Sequence, residues 1–127
     1  MISIADIDST LQAETSISDY FSEDSYNGNS SLLYENDDIS INIVVDSDDD
    51  LAYLSIVDFE DDEVYTTLLI EDEDAISDIP QEISSACYFY SKNFTNQNGR
   101  SFLKRIVSLL QSDGIDPDVA YEPTSIN

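Results

Sequence analysis

Ile39-Ser40-Ile41-Asn42-Ile43-Val44-Val45 puts an apolar side chain at every second position of its first five residues and closes on two valines. A period of two marks a strand with one buried face, because successive side chains in extended backbone point to opposite sides. Two more runs rich in β-branched and aromatic residues follow, LAYLSIVDF over residues 51–59 and VYTTLLI over 64–70, and the brief Leu32-Leu33-Tyr34 precedes them. The links are short and acidic: Glu35-Asn36-Asp37-Asp38, Asp46-Ser47-Asp48-Asp49-Asp50 and Glu60-Asp61-Asp62-Glu63. Such links join antiparallel neighbours, so the pattern predicts a four-stranded antiparallel meander. A fourth block, Glu71-Asp72-Glu73-Asp74, leads out of the sheet.

On the N-terminal side, Ile4, Ile7 and Leu11 recur at helical spacing behind Ser3, which predicts a short capped helix over 4–14. A second short turn is expected over Ile17–Phe21, and residues 22–31 (SEDSYNGNSS) read as loop. On the C-terminal side, Asp78 or Ser77 followed by Pro80 and Glu82 has the composition of a helix start. Ile79, Ile83, Ala86, Cys87, Tyr90 and Phe94 keep helical spacing, with a strand over Ala86–Lys92 as the alternative because aromatics favour strands. Asn96–Gly99 reads as a turn. A last helix is expected over Phe102–Gln111, capped by Ser101 and stopped at Gly114. The expected class is α+β: a short N-terminal helix, the four-stranded antiparallel meander and two C-terminal helices on one face. Residues 1–114 form the domain and 115–127 a mobile tail. Ile39, Ile41, Ile43, Val45, Ile56, Leu68, Ile83, Phe102, Ile106 and Leu110 are the expected core.

Charge is the second strong signal. Residues 1–91 contain no Lys, Arg or His, yet they carry all the acidic residues except Asp113, Asp116, Asp118 and Glu122; the formal net charge is −24. The four basic residues, Lys92, Arg100, Lys104 and Arg105, are expected to stabilise the fold by pairing with the acidic sheet. Unbalanced like charge opposes the compact state, so a chain that keeps it has a use for the field. Disorder is not the explanation, because eight Tyr, five Phe and an Ile/Val-rich sequence supply a core. The lone Cys87 excludes an internal disulfide and suits a reducing compartment; with no His in the chain, nothing activates it as a nucleophile. The first residues lack a basic leader with an apolar core, and no apolar run approaches the ~20 residues of a membrane span, so a cytoplasmic protein is expected. An anionic membrane would repel it.

Three chemistries compete for the acidic blocks. Asp46, Asp48 and Asp50 match the first positions of an EF-hand loop, but Leu51 stands where the sharp turn needs Gly and Val57 where a bidentate Glu is needed. Carboxylate catalysis lacks a His and a Gly-rich phosphate loop, so no enzyme, cofactor or metal is expected. The third is imitation of a polyanion. In a meander, alternate turns fall at the same end, which groups blocks 35–38 and 60–63 at one end and blocks 46–50 and 71–74 at the other. Strands of about seven residues put the two lines roughly 23 Å apart. The expected contact residues are Glu35, Asp37, Asp38, Asp46, Asp48, Asp49, Asp50, Asp58, Glu60, Asp61, Asp62, Glu63, Glu71, Asp72, Glu73 and Asp74. Tyr34, Tyr53, Phe59 and Tyr65 are the expected apolar anchors beside them. A merely solvated surface, as in halophilic proteins, is the alternative.

In its acidic blocks and charge pattern, from Asp6 to Glu82, the chain resembles the DNA-mimic inhibitors of phages and mobile elements, such as anti-restriction and anti-CRISPR proteins and inhibitors of DNA glycosylases. The resemblance implies an inhibitor that fills the nucleic-acid-binding groove of a basic partner protein, for example a CRISPR effector or restriction enzyme. It implies no direct contact with nucleic acid, and it fits a monomer or a homodimer. The order of elements is also similar to the small acidic type III secretion chaperones. Immunity proteins against nuclease toxins share the small acidic profile.

Overall fold

The computed structural model of the chain describes residues 1–17 and 30–124. The turn expected over Ile17–Phe21 and the loop expected over 22–31 lie outside the described residues, apart from Ile17, Ser30 and Ser31; the two serines belong to the first strand rather than to the loop. Helix α1 spans Ile4–Glu14; its N-cap Ser3 accepts a hydrogen bond from Asp6 N at 3.2 Å, and Ile4, Ile7 and Leu11 are buried. Four strands follow, β1 (Ser30–Glu35), β2 (Ile39–Asp46), β3 (Leu51–Asp58) and β4 (Glu63–Ile70), paired antiparallel in chain order. The acidic links thus close hairpins as the alternation predicts.

The register decides which side chains are buried. Ile39, Ile41, Ile43 and Val45 of β2 and Ala52, Leu54 and Ile56 of β3 share the face against which the helices pack, and all are buried. Val44, Tyr53, Ser55 and Val57 point to the other face and are half-buried. Among the described residues, no helix packs on that second face. One core residue is corrected here. Leu68 pairs with Tyr53 and continues the open-face alternation of Val64 and Thr66; the register shift that follows at Leu69 seats Leu69 and Ile70 in the core instead.

After β4 a 3-10 helix, Glu73–Asp78, runs into α2 (Ile79–Asn93). Asp78 occupies the cap position without a side-chain cap bond, since the preceding turn already feeds the helix through Ile79 N to Ile76 O. Residues 86–92 are helical: Ala86, Cys87 and Tyr90 join the core, and the Tyr90 hydroxyl lies 2.6 Å from Thr67 Oγ1 of β4. Helix α3 spans Gln97–Ser112 and begins five residues before the expected Phe102, with Asn96 rather than Ser101 as its cap. Asn96 accepts from Gly99 N at 3.1 Å. The Asn-Gly pair reads as a turn, yet here it forms the first turn of a helix. The Phe94 ring lies so close that a Cβ on Gly99 would sit 2.4 Å from Cε1, so only glycine fits. The helix ends in a Schellman motif: Gly114 (φ +86) donates to Gln111 O at 3.0 Å and Ile115 N to Leu110 O at 2.9 Å.

The segment after Gly114, expected to be a mobile tail, is strapped along α2 up to Thr124. Gln81 Nε2 donates to Asp116 O at 2.6 Å, Asp118 N to Ser85 Oγ at 3.0 Å, and Leu68 N of β4 to Thr124 O at 3.0 Å. Ile115 and Tyr121 pack partly buried against the core. No helix among the described residues is long and apolar enough to cross a membrane.

Candidate partner-binding surface

The acidic blocks first serve the backbone. In each turn the leading Asn or Asp folds its side chain over the following residues and accepts their N–H groups, as Asx residues do in turns. Asn36 Oδ1 accepts from Asp38 N (2.7 Å) and Ile39 N (3.0 Å); Asp46 Oδ1 from Asp48 N (3.0 Å) and Asp49 N (3.2 Å). Asp58 Oδ1 accepts from Glu60 N (2.9 Å) and Asp61 N (3.3 Å), and Asp72 Oδ1 from Asp74 N (3.0 Å). The β2–β3 and β3–β4 loops also share their last residue type. Asp50 (φ 53) and Asp62 (φ 54) adopt the left-handed conformation, which short polar side chains tolerate best after Gly. Each loop is therefore an Asp-x-x-x-Asp unit, with an acceptor at its start and a left-handed residue at its end.

Several expected contact residues are thereby assigned elsewhere. Asp58 is fully buried on the helix face and is withdrawn from the contact surface; its second carboxylate oxygen has no partner among the described residues. Asp46 and Asp72 hold turns. Asp50 accepts from Ile2 N at 2.7 Å, Glu63 from the Tyr65 hydroxyl at 2.7 Å, Asp61 from Thr95 Oγ1 and Glu73 from the Met1 amino group. Asp38 is partly covered by Asn96. The carboxylates left exposed and without an internal partner among the described residues are Glu35, Asp37, Glu60 and Asp62 at one end, and Asp48, Asp49, Glu71 and Asp74 at the other.

Both ends are knit together. Phe59 N donates to Asp38 O at 3.1 Å and joins the β1–β2 and β3–β4 turns. Met1 and Ile2 bridge Glu73 and Asp50, joining the β2–β3 turn to the segment after β4. The topology thus groups the acidic blocks as the meander predicts, in two rims across the ends of the sheet.

The expected neutralisation by the basic residues does not occur. Among the described residues the sole ion pair joins the Met1 amino group to Glu73. Lys92 instead lies 4.2 Å from the centre of the Tyr88 ring, and Arg100, Lys104 and Arg105 line α3, whose other face is buried against α2. The rims keep their charge because the cations belong to a different layer of the fold.

The aromatic anchors divide by face. Tyr34 stacks on Phe102 (centroids 3.5 Å apart, 13° between planes), and Tyr65 packs on Tyr90 and Phe94 at 5.3 and 5.6 Å, so both serve the core. Its bond to Glu63, reinforced by burial, pushes the Tyr65 hydroxyl up to about 12. Tyr53 lies on the open face, and Phe59 is 45% exposed at the β3–β4 hairpin. Sequence reading missed the companions of Tyr53 on that face, Val44, Val57, Val64 and Leu68; their offset from the buried positions was visible, but not that no helix among the described residues covers the second face. Cys87 is fully buried, and burial pushes its thiol up to about 12. Among the described residues no three His, Cys, Asp or Glu side chains are placed to hold one metal ion. No protein-family description, curated protein or solved structure matches this chain.

Proposed function

We propose that this protein is an acidic DNA-mimic inhibitor that occupies the positively charged nucleic-acid-binding groove of a partner protein in the cytoplasm. The observation that carries this reading is the pair of exposed carboxylate rims at opposite ends of a neutral sheet face, left un-neutralised while the chain's four basic side chains make no ion pair among the described residues. A basic groove built for phosphates recognises such lines of charge, and the long-range field speeds capture. The protein does no chemistry and does not touch nucleic acid; it competes with it.

The test is affinity capture from native lysate at about 0.15 M salt, where exposed charges are screened beyond about 8 Å, followed by elution with duplex DNA. A nucleic-acid-binding protein that DNA displaces supports the reading. A toxin or secreted effector that DNA does not displace replaces it with an immunity or chaperone role.

A further inference from the structure

The open face of the sheet has a chemistry the acidic rims do not explain. Leu32, Val44, Tyr53, Val57, Val64 and Leu68 fall on it by register, interspersed with neutral polar residues such as Asn42, Ser55 and Thr66 and, among the described residues, with no charged one between the rims. The six are half-buried, apart from Val64, which is 57% exposed. Val64 and Phe59 are two of the four large apolar side chains exposed among the described residues, and both stand beside the rim that carries Glu60 and Asp62. A solvated acidic surface has no need of an apolar floor.

The dimensions select what lies on that floor. Strands β2, β3 and β4 are each 8 residues long, so the rims stand about 26 Å apart at ~3.3 Å per residue. Four strands spaced by about 4.8 Å make a floor roughly 15 Å wide. That width holds one α-helix of about 10 Å diameter, and 26 Å is the length of about 17 helical residues. An extended strand laid across the floor would leave its backbone groups unpaired on side chains, whereas a helix satisfies its own.

We propose that the open face docks one amphipathic α-helix of the partner, about 17 residues long, with an apolar stripe at its middle and Lys or Arg at both ends. The helix aligns with the strands, rests on Tyr53 and Leu68, and reaches one rim with each end. This rests on the reading of the rims as a partner contact and adds the element of the partner that they hold. The major groove admits an α-helix between two rows of phosphate; here the rows are carboxylates and the floor is a sheet.

The probe is a synthetic 17-residue peptide with a Leu stripe at its middle and two Lys at each end. Its control has the same composition scrambled so that the stripe is lost. Binding is measured by calorimetry at about 0.15 M salt. The striped peptide is expected to bind at least about ten-fold more tightly than the scrambled one. Tyr53→Ser with Leu68→Ser should erase that difference and leave the residual affinity intact. Val64→Lys, at an exposed position that folding tolerates, should do the same by placing a cation under the helix. Equal affinity for the two peptides, or indifference to both variants, overturns the proposal. Neutralising Asp48, Asp49, Glu60 and Asp62 to their amides should weaken both peptides; if it does and the floor variants do not, the rims stand and the helix dock falls. If neutralisation changes nothing, the reading of the rims falls with it.

Discussion

Asp58 and Asp48 are the same residue type ten positions apart with opposite duties. Asp58 is buried, and its Oδ1 holds two turn amides. Asp58→Ala would orphan those amides and should cost about 1–3 kcal/mol in urea unfolding, whereas Asp58→Asn keeps the acceptor and relieves a buried charge, so its stability should match or exceed the parent. Asp48→Asn with Asp49→Asn should leave stability unchanged or slightly raised, yet weaken capture of the partner. Loss of stability in the second pair would show that those side chains have internal partners. At Gly99, alanine would force Phe94 out of place, because its Cβ would meet Cε1 at 2.4 Å and Cδ1 at 2.8 Å. Gly99→Ala should therefore cost about 1–3 kcal/mol, checked by the same unfolding curve.

The loops show why some of this was legible and some was not. Period-two alternation at Ile39–Val45 and the short links are local signals, and they predicted the strands, their order and the shared ends of the acidic blocks. The duties of individual carboxylates depend on which atom faces an N–H, and a run such as Asp48-Asp49-Asp50 reads the same whichever residue folds back. Leu68 was misplaced because the bulge at Leu69 puts Ile70 in the core out of step, so that counting back by twos from Ile70 gives Leu68 the wrong face, and α3 was shortened because Asn-Gly favours a turn unless an aromatic ring fills the space a side chain would need. The paired Asp-x-x-x-Asp loops make a prediction of their own. Asp62 carries a positive φ with no side-chain partner among the described residues, so Asp62→Gly should relieve strain and stabilise by about 1 kcal/mol. Asp50 has the same φ but also accepts from Ile2 N, so Asp50→Gly gains and loses comparable amounts and should be close to neutral. Equal shifts in melting temperature for the two variants would sink this account.

For the molecule as a whole, pH acts in the reverse of the usual direction. Asp8 is held above the ordinary carboxylate value chiefly by burial, and Glu82 by burial and then by Asp78 and Asp118. A raised folded value means that the folded chain keeps the proton more tightly than the unfolded one. The stabilisation is complete below the ordinary carboxylate range and is lost as pH climbs through the raised values. Protonation elsewhere also reduces the −24 net charge. The melting temperature should therefore rise on acidification from about pH 7 to about pH 5, where many proteins are level. It should also rise with salt from about 0.05 to about 0.5 M, as screening shortens the reach of the repulsion. Calorimetric scans across both ranges check this; a melting temperature that falls along either axis would mean that specific pairs, not net repulsion, dominate.

The bond from Leu68 N to Thr124 O has a meaning beyond stability. An outer strand of a sheet is a template for another copy of itself, and proteins guard such edges with charge, with bulges or with a covering segment. In dilute buffer the charge of this molecule keeps copies apart, but the salt that stabilises each folded chain also removes that barrier. The returning chain then stands as a guard at β4, together with the bulge at Leu69. A variant cut after Tyr121 keeps the apolar contacts of Ile115 and Tyr121 and loses the bond that Thr124 makes to β4. It should stay dispersed at low salt and aggregate by strand addition at high salt, where the uncut chain does not, with light scattering as the readout.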